Sequence, residues 1–357
     1  MHSFNCAAAW TVSQLEEDTS WIHVLSEPHQ NELKNALLQF KESVATNGLA
    51  QKVREGTLLP SKDNFILPTL GPLLEQAQLD LEEGCGVVLF QNFPLDCSED
   101  DSRLMYGGML SYIGTPQPQT VMGELLQPIQ DEGQANLYER RGSKHHLGLP
   151  VHNDGCDVVG FLCRRTPLSG GETILASAVA IHNEMLRTCP DQLTILYQDF
   201  ANAWQDYMYP EGRNTEATTL PRTWSAPVFS ERDGEICCRY SRFYTDRAQN
   251  FPGVAQMSES QIDALDTFDR YINDKESWQY RRLFQEGDVM FVNNHVLLHS
   301  RTEFINGEEL HNQRQLYRAW MAVPNSRPLA ESMKVFFGNV EPGSQRGGVK
   351  KEFMTVS

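Results

Sequence analysis

Long hydrophobic runs are missing from this 357-residue chain. Its longest apolar stretches, such as Val87-Val88-Leu89-Phe90, fall far short of the roughly 20 residues that a membrane-spanning helix needs. The N-terminus, Met1-His2-Ser3-Phe4-Asn5-Cys6, lacks the basic start and apolar core of a secretory signal, so a cytoplasmic protein without membrane contact is expected. Positive charge is scarce too. Lys and Arg number 30 against 47 Asp and Glu, for a formal net charge of −17. Such a chain repels a phosphate backbone, and nucleic acid is not an expected partner. The pairs Arg140-Arg141, Arg164-Arg165 and Arg281-Arg282 read as local anion contacts or solvated faces.

Eight cysteines are present, but no two have the short spacing of a zinc knuckle, and a chain of this size does not depend on disulfide staples. Cys237 and Cys238 are adjacent, which on a strand points them to opposite faces. Internal repeats, low-complexity tracts and Pro/Gly-rich linkers are also lacking. One domain over residues 1–357 is therefore expected, with a helical region over about 1–80 and a β core over about 82–325.

With 40% hydrophobic residues the chain can build a large core. Leu33, Ala36, Leu37, Phe40 and Val44 recur at helical spacing within 28–47, and Asn47-Gly48 supplies a stop. A helix opening at Ser258 has a capping box with Gln261, a staple between Met257 and Ile262, and an apolar face through Leu265, Phe268 and Ile272. A further helix is expected over about 178–188. Short β-type runs lie at 86–90, 157–162, 289–292 and 315–323. Many strands without regular strand–helix alternation favour an antiparallel sandwich or jelly roll with helices outside it.

The chemistry centres on His152-Asn153-Asp154. Residues two apart on a strand share a face, so this imidazole and this carboxylate can converge on one ion. A third ligand must come from elsewhere, and His299 in the run Phe291–Thr302 is the candidate. His295, four residues earlier, is a weaker candidate on a strand. Two histidines and one carboxylate leave three positions open on an octahedral ion, room for a chelating co-substrate and dioxygen. A structural zinc site tends instead to be closed by four protein ligands. Arg314 and Arg318 are four apart, so a strand points both to one face, about 13 Å apart at roughly 3.3 Å per residue. The planar fork of arginine suits a carboxylate. One can clamp the far carboxylate of a dicarboxylate co-substrate while the other reaches a substrate pocket.

Taken together, GVVLFQNFP (86–94), YIGTPQPQT (112–120), PVHNDGCDVV (150–159), SGGET (169–173), CRYSRFY (238–244), EGDVMFVNNHVLLHSRTEF (286–304) and RQLYRAW (314–320) resemble, in order as well as content, the TauD/TfdA family of Fe(II)/2-oxoglutarate-dependent dioxygenases. The resemblance implies a mainly β fold with flanking helices, a double-stranded β-helix of the cupin-like jelly-roll type. It implies His152, Asp154 and His299 as iron ligands, Thr173 and Arg314 as 2-oxoglutarate contacts, and dioxygen as the oxidant. The expected reaction oxidises a C–H bond while 2-oxoglutarate yields succinate and carbon dioxide. Two positions depart from the family: Val292 stands where many members have Trp, and His295 where other residues are common. Surplus cations, Arg318 with Arg239 and Arg242, point to a small polar substrate such as an amino acid or another carboxylate. Tyr138 and Glu139 are candidate contacts for an ammonium group, and His145 or His146 for another polar group. A cupin-like metal-binding protein without turnover and a hydrolytic zinc enzyme are the competing readings.

Overall fold

The strands Val158–Arg165, Val289–Asn293 and Gln315–Ala322 are almost wholly buried, so both of their faces need cover. In the computed structural model, which describes residues 1–54, 58–133, 144–204 and 222–349, they form the centre of a seven-stranded sheet. Its order is Ile22–Val24, Val87–Gln91, Val289–Asn293, Val158–Arg165, Gln315–Ala322 and Thr115–Gln117, with Leu126–Gln130 also paired to Gln315–Ala322. All its pairings are antiparallel except Ile22–Val24 with Val87–Gln91. A second, four-stranded sheet runs Tyr280–Arg282, Thr173–Ser177, Leu297–Arg301 and Leu149–His152.

Alternation along each central strand divides the side chains between two cores. Val158, Leu162, Val289, Phe291, Tyr317 and Met321 join one core with Phe40, Leu74 and Tyr106 of the helices Glu27–Thr46, Leu70–Glu83 and Glu99–Ile113. Their neighbours Val159, Cys163, Met290, Val292, Leu316 and Trp320 join the other core, together with Leu175 and Val151 of the smaller sheet. The helices Ala178–Thr188, Pro190–Leu196 and Glu259–Asn273 add Ile181, Leu193 and Phe268 to that second core.

The expected elements are found within three residues at each end. The Ser258 capping box forms with both of its hydrogen bonds, but Ile262 is exposed and takes no part in the core. The sequence reading passed over the helices Leu70–Glu83 and Glu99–Ile113 and the edge strand Ile22–Val24. Cys237 and Cys238 do fall in different cores, and all eight cysteines are free. No helix among the described residues is long and apolar enough to cross a membrane.

Candidate metal centre

His152 is the last residue of its strand, and Asp154 lies in the turn beyond it. The expectation that both sit on one strand face is corrected here: Asn153 turns the chain instead. Its buried amide makes four bonds. Nδ2 donates to the Cys238 carbonyl (2.7 Å) and the Asn294 carbonyl (2.9 Å), while Oδ1 accepts from the Tyr240 amide (2.9 Å) and Arg239 Nη1 (2.9 Å). His299 sits mid-strand in Leu297–Arg301, in register with both His152 and Leu175. Its Nε2 lies 3.7 Å from Asp154 Oδ2, and His152 Nε2 lies 4.0 Å from Asp154 Oδ1. One ligand atom from each of the three side chains falls within 4.8 Å of the others, the geometry of a metal site.

Protonation suits the three to a cation. His152 Nδ1 donates to the Pro150 carbonyl at 2.8 Å, which leaves Nε2 with its lone pair facing the cluster. Burial pushes His299 down to about 3 and also lowers His152, so both rings are neutral and ready to ligate. Burial opposes ionisation of Asp154, but the opposing effects, led by Arg318 at 3.1 Å, bring the carboxyl to about 2. Trp320 Nε1 donates to Asp154 Oδ2 at 2.9 Å. Such outer contacts fix the orientation of a ligating carboxylate. The turn itself is pinned by the C-terminal segment. Arg346 Nε donates to Asp157 Oδ1 (2.6 Å), and the Gly348 amide donates to the Gly155 carbonyl (2.8 Å).

Four residues before Arg318, at the head of the same strand, lies an empty-handed cation. Thr173 is paired directly with Arg301 and so shares the face of His299. Arg301 and Arg314 both lie over the Phe304 ring, at 4.7 and 5.3 Å. Arg301 is satisfied by the carbonyls of His145, Leu147 and Thr302. Arg314 is not: its Nη1 is buried without a partner, and burial lowers its pKa to about 10. Among the described residues no carboxylate pairs with it. A cavity of about 170 Å³ opens against Arg314, Leu316 and Cys163. Gly170 and Gly171 run past it at positive φ, where a Cβ on Gly170 would stand 2.3 Å from the Glu303 carbonyl oxygen. That close passage accounts for the glycine pair.

The other expected residues divide. Arg318 reaches the cluster, but through Asp154 and Gln119 Oε1 (2.9 Å), so part of its charge is already engaged. Arg242 does not join the cluster in any described contact. On the helix Arg242–Ala248 it is held by Asp246, Asp266 and Asp269 at 2.7–2.9 Å. Tyr138 and Glu139 lie outside the described residues. His295 is no ligand: its ring lies between Asp157 Oδ1 (2.8 Å) and Cys237 Sγ (3.3 Å). His146 pairs with Asp131 at 3.2 Å, and His145 offers its carbonyl to Arg301. Sequence reasoning missed Trp320, Asn153 and Arg346 as supports. Only Trp320 left a trace, two residues from Arg318 on the same strand face.

A family model described as taurine catabolism dioxygenase TauD, TfdA family, matches residues 52–320. The chain belongs to the TauD/TfdA family. It is accordingly a non-haem iron(II), 2-oxoglutarate-dependent dioxygenase. FR-33289 synthase of Streptomyces rubellomurinus (strain ATCC 31215) is 27% identical over 332 residues, 91% of this chain and 92% of that protein. The taurine hydroxylase-like protein SAT17 of Stachybotrys chartarum (strain CBS 109288 / IBT 7711) is 27% identical over 312 residues, 84% and 74% of the two chains. Among solved structures, the oxygenase OrfP with Fe, succinate and (3S)-hydroxy-L-Arg aligns with a TM-score of 0.63 at 14% identity, covering 84% of this chain and 94% of that one. Asparagine oxygenase with Fe(II), 2S,3S-3-hydroxyasparagine and succinate gives 0.61 at 15% identity, covering 84% and 93%. Those two likenesses establish the jelly-roll fold shared with TauD/TfdA oxygenases.

Proposed function

We propose that His152, Asp154 and His299 hold iron(II), that Thr173 and Arg314 receive 2-oxoglutarate, and that the site oxidises a C–H bond of a small polar substrate such as an amino acid or another carboxylate. The observation that carries the reading is Arg314, a buried guanidinium with an unpartnered nitrogen at the head of the strand that carries Arg318. A closed metal store has no use for such a cation, whereas the distal carboxylate of 2-oxoglutarate supplies its missing partner. Iron(II) bound in this site supplies activation of dioxygen, by which decarboxylation of 2-oxoglutarate to succinate is coupled to substrate oxidation.

The chain's own part is positioning. Asp154 stays ionised through Arg318 and Trp320, and the imidazoles stay neutral through burial. Phe161, 5.7 Å from the His299 ring, and Leu175, in register with it, form apolar walls that exclude water. Arg318 is the proposed substrate-facing cation. The substrate classes fit the named products of the aligned oxygenases, hydroxylated asparagine and arginine. The chain is read as one catalytic domain acting in the cytoplasm.

The test is oxygen-dependent succinate release across a panel of amino acids and other small carboxylates. We expect one class to stimulate release in the wild type and none in Asp154→Ala. Turnover that needs zinc and no oxygen would contradict the proposal.

A further inference from the structure

Arg239 is a buried cation whose Nη1 steadies Asn153 and whose other edge the reaction described above leaves unused. It follows the strand Glu235–Cys238 and is 8% exposed. Its guanidinium lies over the Phe336 ring at 4.3 Å, with the Trp224 ring at 5.7 Å. Those two rings stack on each other at 4.4 Å. Phe336 in turn covers the metal turn, since a Cβ on Gly155 would stand 3.0 Å from it.

Among the described residues, every hydrogen bond of this guanidinium runs through Nη1, to the Asn153 carbonyl (2.8 Å), Asn153 Oδ1 (2.9 Å) and the Tyr240 carbonyl (3.4 Å). Nε is buried with no partner, and among the described residues no carboxylate pairs with Arg239. The free edge is therefore the Nε–Nη2 edge, whose parallel N–H groups grip an oxyanion in bidentate fashion. A buried guanidinium without a counter-ion is costly. Asp154 offsets part of that charge without a direct bond to it, its carboxylate being bonded to Arg318. Iron(II) and dianionic 2-oxoglutarate offset each other, so the site stays positive until another anion enters.

We propose that Arg239, cradled by Phe336 and Trp224, determines substrate specificity by taking an oxyanion of the substrate, a carboxylate, sulfonate or phosphonate group, through Nε and Nη2. This rests on the oxygenase reading and adds to it a site for one end of the substrate. The aromatic cradle holds the guanidinium plane fixed and shields it from water, which strengthens the contact.

The test titrates the anaerobic enzyme, loaded with Fe(II) and 2-oxoglutarate, with methylphosphonate and with acetate by calorimetry. Methylammonium is the cationic control. Visible absorption of the iron–2-oxoglutarate chelate is recorded alongside. Saturable oxyanion binding, measured per unit of chelate absorption so that any loosening of the Asn153 turn is discounted, is expected in the wild type and weakened about tenfold or more in Arg239→Met and less in Arg239→Lys. Should Arg239→Met not fold, Arg239→Lys decides, because it keeps the charge but loses the fork and the flat stack; unchanged binding there overturns the proposal. Preference for methylammonium overturns it, as does loss of the chelate absorption in both variants, which would make Arg239 a mere support for Asn153. Chelate absorption with unaffected anion binding sinks this proposal alone, whereas a wild type without that absorption sinks the oxygenase reading as well.

Discussion

The two faces of the larger sheet are built from the same strands and meet opposite requirements. On one, Phe291, Tyr317 and Met321 pack against the N-terminal helices in an apolar core. On the other, Arg318 and Trp320 alternate with those residues and hold the carboxylate of Asp154. The first face is closed by folding apart from the Tyr106 hydroxyl, which is buried without a partner. The second keeps a buried nitrogen of Arg314, and Nδ1 of His299, without partners. Polar atoms left in that state inside a protein ask for a guest. Both faces bury an apolar core, but only the second meets the metal-cluster residues, although one residue's shift along the strand separates them.

Substitutions can break that division. Asp154→Ala should have the largest effect, with iron binding and succinate release falling to background while the fold survives, as read by metal content and circular dichroism. Phe291→Ala should do the reverse, costing about 3–5 kcal/mol in denaturant unfolding while the folded fraction still binds iron. Arg314→Met should weaken 2-oxoglutarate by about 100-fold, since charged hydrogen bonds contribute roughly 1.5–3 kcal/mol each. Its melting temperature should hold or rise, because an unpaired buried cation is gone. Trp320→Phe removes the hydrogen bond to Asp154 Oδ2 and shrinks the ring beneath Arg318, and should lower iron affinity about 10–100-fold, measured by competition with a chelator. Arg242→Ala is expected to have the smallest effect, about 1 kcal/mol or less of stability, with turnover per folded molecule unchanged.

What the sequence disclosed follows from distance along the chain. The strands, the capped helix at 259–273 and the proposed ligand pair His152 and Asp154 are local patterns, and periodicity or spacing exposes them. His299 and Arg314 were candidates from residue type and strand spacing, whereas Thr173 came only from the family resemblance; sheet pairing sets Thr173 opposite Arg301, two residues from His299. Arg242 misled because its three carboxylates lie at 246, 266 and 269, so its ion pairs form only once two helices meet. Arg346 was invisible for the same reason: Asp157 stands 189 residues away. The turn that carries Asp154 off its strand depends on Asn153 finding partners near 238–240 and at 294. No spacing rule reports that.

The central claim is that three ligands leave the metal open to a chelate whose far end meets Arg314. Anaerobic titration of the protein with Fe(II) and 2-oxoglutarate tests it most directly. Visible charge-transfer absorption should appear only when both are present, be absent in Asp154→Ala, and require far more 2-oxoglutarate in Arg314→Met. Tight binding of Fe(II) with no such absorption at saturating 2-oxoglutarate would contradict the account.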